Sequence, residues 1–207
     1  MTSILFLSAL CLAAYAQFSP SAQQAIVDVH NAMRSKIARG VYVAKEDKKP
    51  SGTNILKMKW DSSIAAVAQK YSDTCPSGHS GIEGVGENLF WYWTTADITD
   101  LDYYGKLAAD HWEKEFQSYG WKYNTLDGPL VGTGVGHATQ MAWADSGIIG
   151  CGVTNCGRDT NGMNKAYVVC HYKNPGNVLT WNIYNSGRTC SACPSGTSCE
   201  KSTGLCV

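Results

Sequence analysis

The sequence predicts an α+β domain built as a layered sandwich, followed by a small cysteine-rich tail. Helical and strand-like segments are mixed along the chain without the regular alternation of a parallel α/β sheet. The 207 residues are 44% hydrophobic, which is enough for one packed core. After residue 184 the apolar residues nearly vanish, and glycine, serine, threonine and cysteine dominate. We therefore expect a main domain at 17–184 and a tail at 185–207 that disulfides must order.

Three amphipathic helices are predicted in the first half of the chain. Ser19-Pro20-Ser21 is typical of a helix start, and Gly40 is a suitable stop. Between them, apolar side chains recur at helical spacing, at Ile26, Val29, Met33 and Ile37. Asp61 is suited to capping a second helix, and Thr99 or Asp100 a third.

The second half of the chain predicts a short helix and two strands. The helix is expected around Thr139 to Trp143. Ile148 to Thr154 and Ala166 to Tyr172 are rich in β-branched and aromatic residues, which favours strands. A turn-rich loop at 155–162 separates them. These segments supply the sheet layer of the sandwich.

The N-terminal residues resemble a secretory signal peptide. Ile4 to Ala14 is an uncharged apolar run that is too short to span a bilayer. It leads into Ala14-Tyr15-Ala16, a small-x-small cleavage pattern ahead of Gln17. We therefore predict a signal peptide at 1–16 and an extracellular, secreted protein. No later stretch is apolar and long enough to predict a transmembrane segment.

Cysteine usage agrees with secretion. Cleavage after residue 16 removes Cys11 from the nine cysteines and leaves an even number, which predicts four disulfides with the pairing left open. The eight remaining cysteines are Cys75, Cys151, Cys156, Cys170, Cys190, Cys193, Cys199 and Cys206. Cys190-x-x-Cys193 is also the start of a zinc knuckle, but no second pair follows it, so disulfides are favoured.

The charge balance argues against a nucleic-acid partner. Lysine plus arginine and aspartate plus glutamate both number 17, so the formal net charge is zero. General nucleic-acid binders usually carry a basic excess.

Two histidines and two glutamates are the candidate site residues. They are His79, Glu87, Glu115 and His137. Neutral imidazole ligates zinc well, and carboxylates either ligate a metal or orient its histidines. Residue type alone does not show that these four residues form a metal site, because isolated His and Glu are more often surface or structural groups. His111 also lies four residues before Glu115 on one helix face and competes with His79 and His137 for the role of site histidine. The other two histidines are expected to be structural: His30 and His171.

Five ordered blocks give the sequence a specific resemblance. Residues Gly136 to Trp143 are similar to the G-H-aromatic-T-Q-x-x-W signature of the CAP superfamily, which covers cysteine-rich secretory, antigen 5 and pathogenesis-related proteins. Residues Tyr167 to Val178 resemble its second signature. Three further blocks match in order: Gly78-His79-Ser80, Gly86-Glu87-Asn88-Leu89 and Trp112-x-x-Glu115. The overall pattern most resembles the activation-associated secreted, or venom-allergen-like, proteins of nematodes.

The resemblance implies a fold and a site. Residues 17–184 are identified as a CAP domain, a three-layer α-β-α sandwich with a central cleft, and residues 185–207 as a hinge-like tail. His79, Glu87, Glu115 and His137 fall on the family's cleft tetrad. In relatives the two histidines bind a divalent metal and the glutamates orient them. His79 and His137 are thus the implied ligands, and a weakly bound divalent ion such as zinc is the implied cofactor.

The resemblance also implies a secreted binding protein rather than an enzyme, with host proteins or lipids as partners in parasite–host contact. No residue is assigned a catalytic role. The alternatives are a metal-assisted hydrolase, with Glu87 or Glu115 as general base, and a sterol or lipid carrier. Homodimerisation stays open.

Two departures from the family pattern bear on the cleft and on lipid binding. Ala138 stands where the family has an aromatic residue, which opens the cleft wall or lets another ring fill it. The family's sterol-binding aromatic pattern begins at Tyr119-Gly120-Trp121 but ends on Leu126, which argues against sterol binding. Trp121 and Tyr123 remain as an expected apolar lipid surface. The aromatic run 90–93 and residues 103–104 are expected to pack in the core or cleft wall.

Overall fold

The computed structural model describes residues 18–207, so the predicted signal peptide at 1–16 lies outside the described residues. The helices are α1 (Pro20–Ala38), α2 (Ser62–Ser72), α3 (Asp102–Tyr119), α4 (Gly128–Val131) and α5 (Gly136–Ala142). The strands are β1 (Val43–Ala44), β2 (Asp47–Lys48), β3 (Lys59–Trp60), β4 (Gly86–Thr94), β5 (Ile148–Arg158), β6 (Asn164–Lys173), β7 (Cys199–Glu200) and β8 (Leu205–Cys206).

A four-stranded sheet forms the middle layer of the main domain. Its order is β3-β5-β6-β4, with β3 parallel to β5 and the other neighbours antiparallel. Helix α2 packs on one face, while α1, α3 and α5 pack together on the other. Side chains alternate along β6, so Tyr167 and Val169 face α2 whereas Val168 and Cys170 face the larger core. This is the predicted α-β-α sandwich, and the α+β class is confirmed.

Helix starts follow from local capping chemistry. The Ser19 hydroxyl accepts a hydrogen bond from the backbone of α1, and the Asp61 carboxylate caps α2 by accepting from two backbone amides. The predicted cap of α3 was wrong: Leu101 precedes the helix and makes no side-chain cap. Asp100 instead accepts from the amide of Asp102, two residues on, in an Asx turn. The short helix begins earlier than predicted, at Gly136.

Two glycines let α2 lie directly on the sheet. A Cβ atom at Gly150 would collide with the backbone of Asp61, Ile64 and Ala65, and one at Gly152 with the backbone of Ala68 and Gln69. The Gln69 side chain then accepts from the Val153 amide at 3.0 Å and donates to its carbonyl at 2.8 Å. The close approach of α2 to β5 therefore depends on glycine, which has no Cβ atom, at positions 150 and 152.

We expect Gly152→Ala to lower the free energy of unfolding by about 1–3 kcal/mol, because α2 must lift away from β5. Urea unfolding followed by circular dichroism measures this change. Gly128→Ala is the matched control, because open space surrounds that position, and it should shift stability by less than about 0.5 kcal/mol. Equal stability of the two variants would contradict the close contact.

All eight cysteines of residues 18–207 form disulfides. The pairs are Cys75–Cys156, Cys151–Cys170, Cys190–Cys199 and Cys193–Cys206. The first ties the end of α2 to β5, and the second joins paired residues of β5 and β6. The last two lie within the tail, so Cys190 and Cys193 belong to separate disulfides and not to a zinc knuckle.

The tail packs against the main domain. Leu205 is fully buried in the main core, and the Cys206 amide donates to the Ile55 carbonyl at 2.9 Å. The Thr189 hydroxyl donates to the carbonyl of Ala38, at the end of α1, at 2.8 Å. Two disulfides and these few contacts order a segment with little apolar surface of its own.

The aromatic residues differ in part from expectation. Trp121 is fully buried and stacks on Phe116 with ring centroids 4.3 Å apart, so the prediction that it forms a lipid surface was wrong. Tyr123 is partly exposed, and its hydroxyl donates to Asp127. Trp93 and Tyr103 are exposed rather than packed in the core. Trp93 lies at the C-terminal end of β4, and Tyr103 lies in the first turn of α3.

Candidate metal-binding cleft

The four predicted tetrad residues line one open cleft of about 330 Å³. His79 comes from the loop before β4, Glu87 from β4, Glu115 from α3 and His137 from the first turn of α5. The rest of the lining is Asn88, Val131, Gly134, Gly136 and Asn177. Residues distant in sequence thus meet where the edge strand β4, α3 and α5 come together.

The first arm of the site joins His79, Glu87 and a third residue that the sequence did not single out for the site, His171. Nδ1 of His79 lies 2.7 Å from Oε1 of Glu87, and the Ser80 amide donates to the same oxygen at 2.8 Å. Nε2 of His171 lies 2.8 Å from the other oxygen, Oε2. Glu87 and His171 are directly paired across β4 and β6. The carboxylate is therefore held from both sides.

These donors keep Glu87 ionised. Burial alone would raise its pKa, but the hydrogen bonds from His171, Ser80 and His79 outweigh burial and lower the pKa to about 2. An ionised carboxylate only accepts hydrogen bonds, so the facing nitrogens of both imidazoles must carry protons.

The second arm joins His137 and Glu115. Nδ1 of His137 lies 2.5 Å from Oε1 of Glu115, and the Ala138 amide donates to Oε2 at 2.9 Å. Trp112 stacks on the His137 ring, with centroids 5.9 Å apart and planes 18° from parallel. His111, the competing candidate for the site histidine, instead lies against Phe90 with ring centroids 5.2 Å apart.

Ala138 does not open the cleft wall. Its side chain is fully buried behind His137, and the ring that lies on that histidine is Trp112. The indole N–H of Trp112 donates to the Leu89 carbonyl of β4 at 3.2 Å, which fixes the plane on which His137 rests.

A buried polar chain supports the backbone of His137. The Asn88 amide group donates to the His137 carbonyl and to the Tyr172 hydroxyl, both at 3.1 Å. The Tyr172 hydroxyl in turn lies 2.9 Å from Nε2 of His30, whose Nδ1 lies 2.8 Å from the Ile26 carbonyl. His30 is thus structural, as expected, and is linked to the cleft through two residues.

The donor set fits a divalent metal ion. In both arms Nδ1 donates to a carboxylate, so each Nε2 carries a free lone pair, and the His79 and His137 side chains are 66% and 36% exposed. Within residues 18–207, one group of three possible ligand residues has its ligand atoms close together. These residues are Cys190, Cys193 and Cys206, and their sulfurs form disulfides instead. The cleft therefore offers two imidazoles and not a closed four-ligand site.

Comparison with known proteins identifies the family. The model of the CAP, or cysteine-rich secretory protein, family matches residues 27–172, more than half of the chain. The chain belongs to the CAP family. Members of this family are generally not enzymes, and this supports the prediction of a non-enzymatic protein.

Individual relatives agree with this assignment. Peptidase inhibitor 16 of Mus musculus is 35% identical over 184 residues, which cover 87% of this chain and 33% of the relative. Ancylostoma secreted protein of Ancylostoma caninum is 34% identical over 194 residues, covering 90% of this chain and 44% of the relative. The CAP chain thus spans between a third and a half of the length of these relatives.

The fold is shared with a protein crystallised with a metal. The crystal structure of NaASP2 with Zn²⁺ superposes with a TM-score of 0.81 at 31% identity, covering 92% of this chain and 97% of that one. The resemblance to nematode secreted proteins is confirmed. In the described part of the CAP chain, no helix combines the length and apolarity that a membrane crossing needs.

Proposed function

We propose that this CAP protein is secreted and acts as a binding protein whose cleft holds a divalent metal ion, such as zinc, between Nε2 of His79 and Nε2 of His137. The observation that carries the proposal is the paired arrangement of the arms: each imidazole gives Nδ1–H to a glutamate and leaves Nε2 free at the cleft surface. Glu87 and Glu115 act as orienting partners and not as ligands.

The carboxylates of Glu87 and Glu115 already accept hydrogen bonds from histidines, and this disfavours the hydrolase alternative. Each oxygen of Glu115 accepts a hydrogen bond, one from His137 and one from the Ala138 amide. Each oxygen of Glu87 is likewise occupied. In each arm the carboxylate already accepts a hydrogen bond from its histidine, and this supports an orienting role over the role of a general base.

The bound ion would help the cleft to bind a partner molecule. Two protein ligands leave coordination positions open toward solvent, and a side chain of a host protein or a lipid head group can fill them. Two observations support an extracellular setting, the four disulfides and the secreted relatives, and the predicted signal peptide at 1–16 agrees with them. In this proposal residues 17–184 are the binding domain and residues 185–207 are its tail.

Titration calorimetry with Zn²⁺ tests the proposal. We expect one weak site in the protein and no detectable binding in the His79→Ala/His137→Ala double variant. His111→Ala is the matched control, because His111 is exposed and lies outside the cleft lining, and it should bind as the parent protein does. Affinity should also fall at acidic pH, where protons compete with the metal for imidazole. Undiminished binding by the double variant would refute the ligand assignment.

A further inference from the structure

We infer that His171 is a positioning residue of the cleft: by donating Nε2–H to Oε2 of Glu87, it fixes the carboxylate that holds His79 ready to ligate. The inference rests on the proposed metal site and adds a residue to it. His171 does not line the cleft, and its side chain is fully buried beneath Glu87. His171 therefore affects the position of His79 through the Glu87 carboxylate.

The surroundings of His171 select one tautomer. Nδ1 is buried and has no hydrogen-bond partner among residues 18–207, whereas Nε2 faces Glu87 at 2.8 Å. A proton on Nδ1 would leave a buried donor unpaired, which is unfavourable. Nε2 therefore carries the proton that faces Glu87, and the ring acts as a fixed donor toward that carboxylate.

His79 depends on this support more than His137 does. His79 lies on an exposed loop, and within the described chain its imidazole makes one hydrogen bond, to Glu87. His137 is held by a helix, a stacked indole and Glu115, whose second oxygen binds a backbone amide. In the His79 arm the donor to the second oxygen is a side chain, so substitution can remove it.

Zinc titration of three variants tests the positioning role. His171→Phe keeps a ring but loses the donor, and we expect zinc affinity to fall about tenfold, as for other outer-shell partners. His171→Gln places an N–H near the original Nε2 and should recover most of the affinity. Val169→Ala is the control for packing, because Val169 is buried on the same face of β6 and is paired with Leu89 rather than with Glu87. An equal loss of affinity in Val169→Ala and His171→Phe would overturn the inference.

A metal-free measurement separates this inference from the proposed function. Long-range ¹H–¹⁵N NMR at pH 8 reports which ring nitrogen of each histidine is protonated. We expect His79 to carry its proton on Nδ1 in the unaltered protein and in His171→Gln, and to shift toward Nε2–H, the form favoured in water, in His171→Phe. If zinc fails to bind but this shift occurs, the proposed function fails and the inference stands.

The tautomer of His171 itself gives a test that needs no variant. The inference requires a proton on Nε2 in the folded protein, and the same NMR spectrum shows this nitrogen. The opposite tautomer would overturn the inference even if His171→Phe does not fold. An unchanged His79 tautomer in a folded His171→Phe variant would overturn it as well.

Discussion

Replacing Arg34 with methionine is expected to lower the free energy of unfolding by about 3–5 kcal/mol. The Arg34 guanidinium is fully buried and forms no ion pair with a carboxylate of residues 18–207; it donates instead to backbone carbonyls. The acceptors are Leu56 at 2.6 and 2.8 Å, Met141 at 2.9 Å, Trp143 at 2.7 Å and Ala144 at 3.0 Å. Methionine has a similar length but no donor, so four carbonyls would lose a charged partner in the interior.

The effect also reaches the cleft. Three of the acceptors lie at or just beyond the end of α5, the helix that carries His137, so Arg34 fastens that helix to α1. Burial lowers the pKa of Arg34 to about 9, and the group still carries its charge at neutral pH. Urea unfolding measures the loss, with Arg158→Met as control because that side chain is 64% exposed and should change stability by less than about 0.5 kcal/mol. A loss below about 1 kcal/mol in Arg34→Met would contradict the role assigned to Arg34.

Acidification from pH 6.5 to pH 4 is expected to destabilise the protein by about 3 kcal/mol through His30 alone. Burial lowers the pKa of His30 to about 4 from the ordinary value of 6.5, and the neighbouring Arg34 charge adds to the shift. Between these pH values the unfolded chain binds a proton at this position and the folded chain does not. Stability therefore falls as the pH drops through this window.

A variant that cannot titrate isolates this contribution. His30→Gln should be less stable than the unaltered protein at pH 7, because it disturbs the bonds to Ile26 and Tyr172, but its stability should depend less on pH between 6.5 and 4. Glu87 affects stability at lower pH. Its pKa is about 2 in the folded protein and 4.5 ordinarily, so the stability that the ionised carboxylate provides is lost as the pH falls from 4.5 toward 2. Urea midpoints at several pH values measure both. Parallel pH profiles for the two proteins would show that His30 is not the group responsible.

Local sequence signals predicted much of the fold. The caps at Ser19 and Asp61 and the apolar spacing located α1 and α2, because these features depend on neighbouring residues only. Two of the three long strands, β5 and β6, were found, although each extends beyond its predicted limits, and β4 was not predicted as a strand. The start of α3 was missed because Asp100 forms a turn with Asp102 rather than a cap, and sequence spacing does not distinguish these outcomes.

Long-range contacts account for what the sequence did not show. Arg34 lies on an amphipathic helix, where a charged residue ordinarily marks the solvent face, and its burial depends on carbonyls more than twenty residues away. The link between His171 and Glu87 depends on the register of β4 and β6, which sets the facing residues. Trp121 follows an exposed helix end, and only packing against Phe116 and Tyr184 buries it.

The most direct test of the central claim is anomalous diffraction at the zinc edge from crystals of the protein grown with Zn²⁺. We predict one peak in the cleft about 2.0–2.1 Å from Nε2 of both His79 and His137, with Glu87 and Glu115 still bound to the Nδ1 atoms. A zinc ion held by the carboxylates, or a cleft that stays without zinc while both imidazoles remain free, would contradict it.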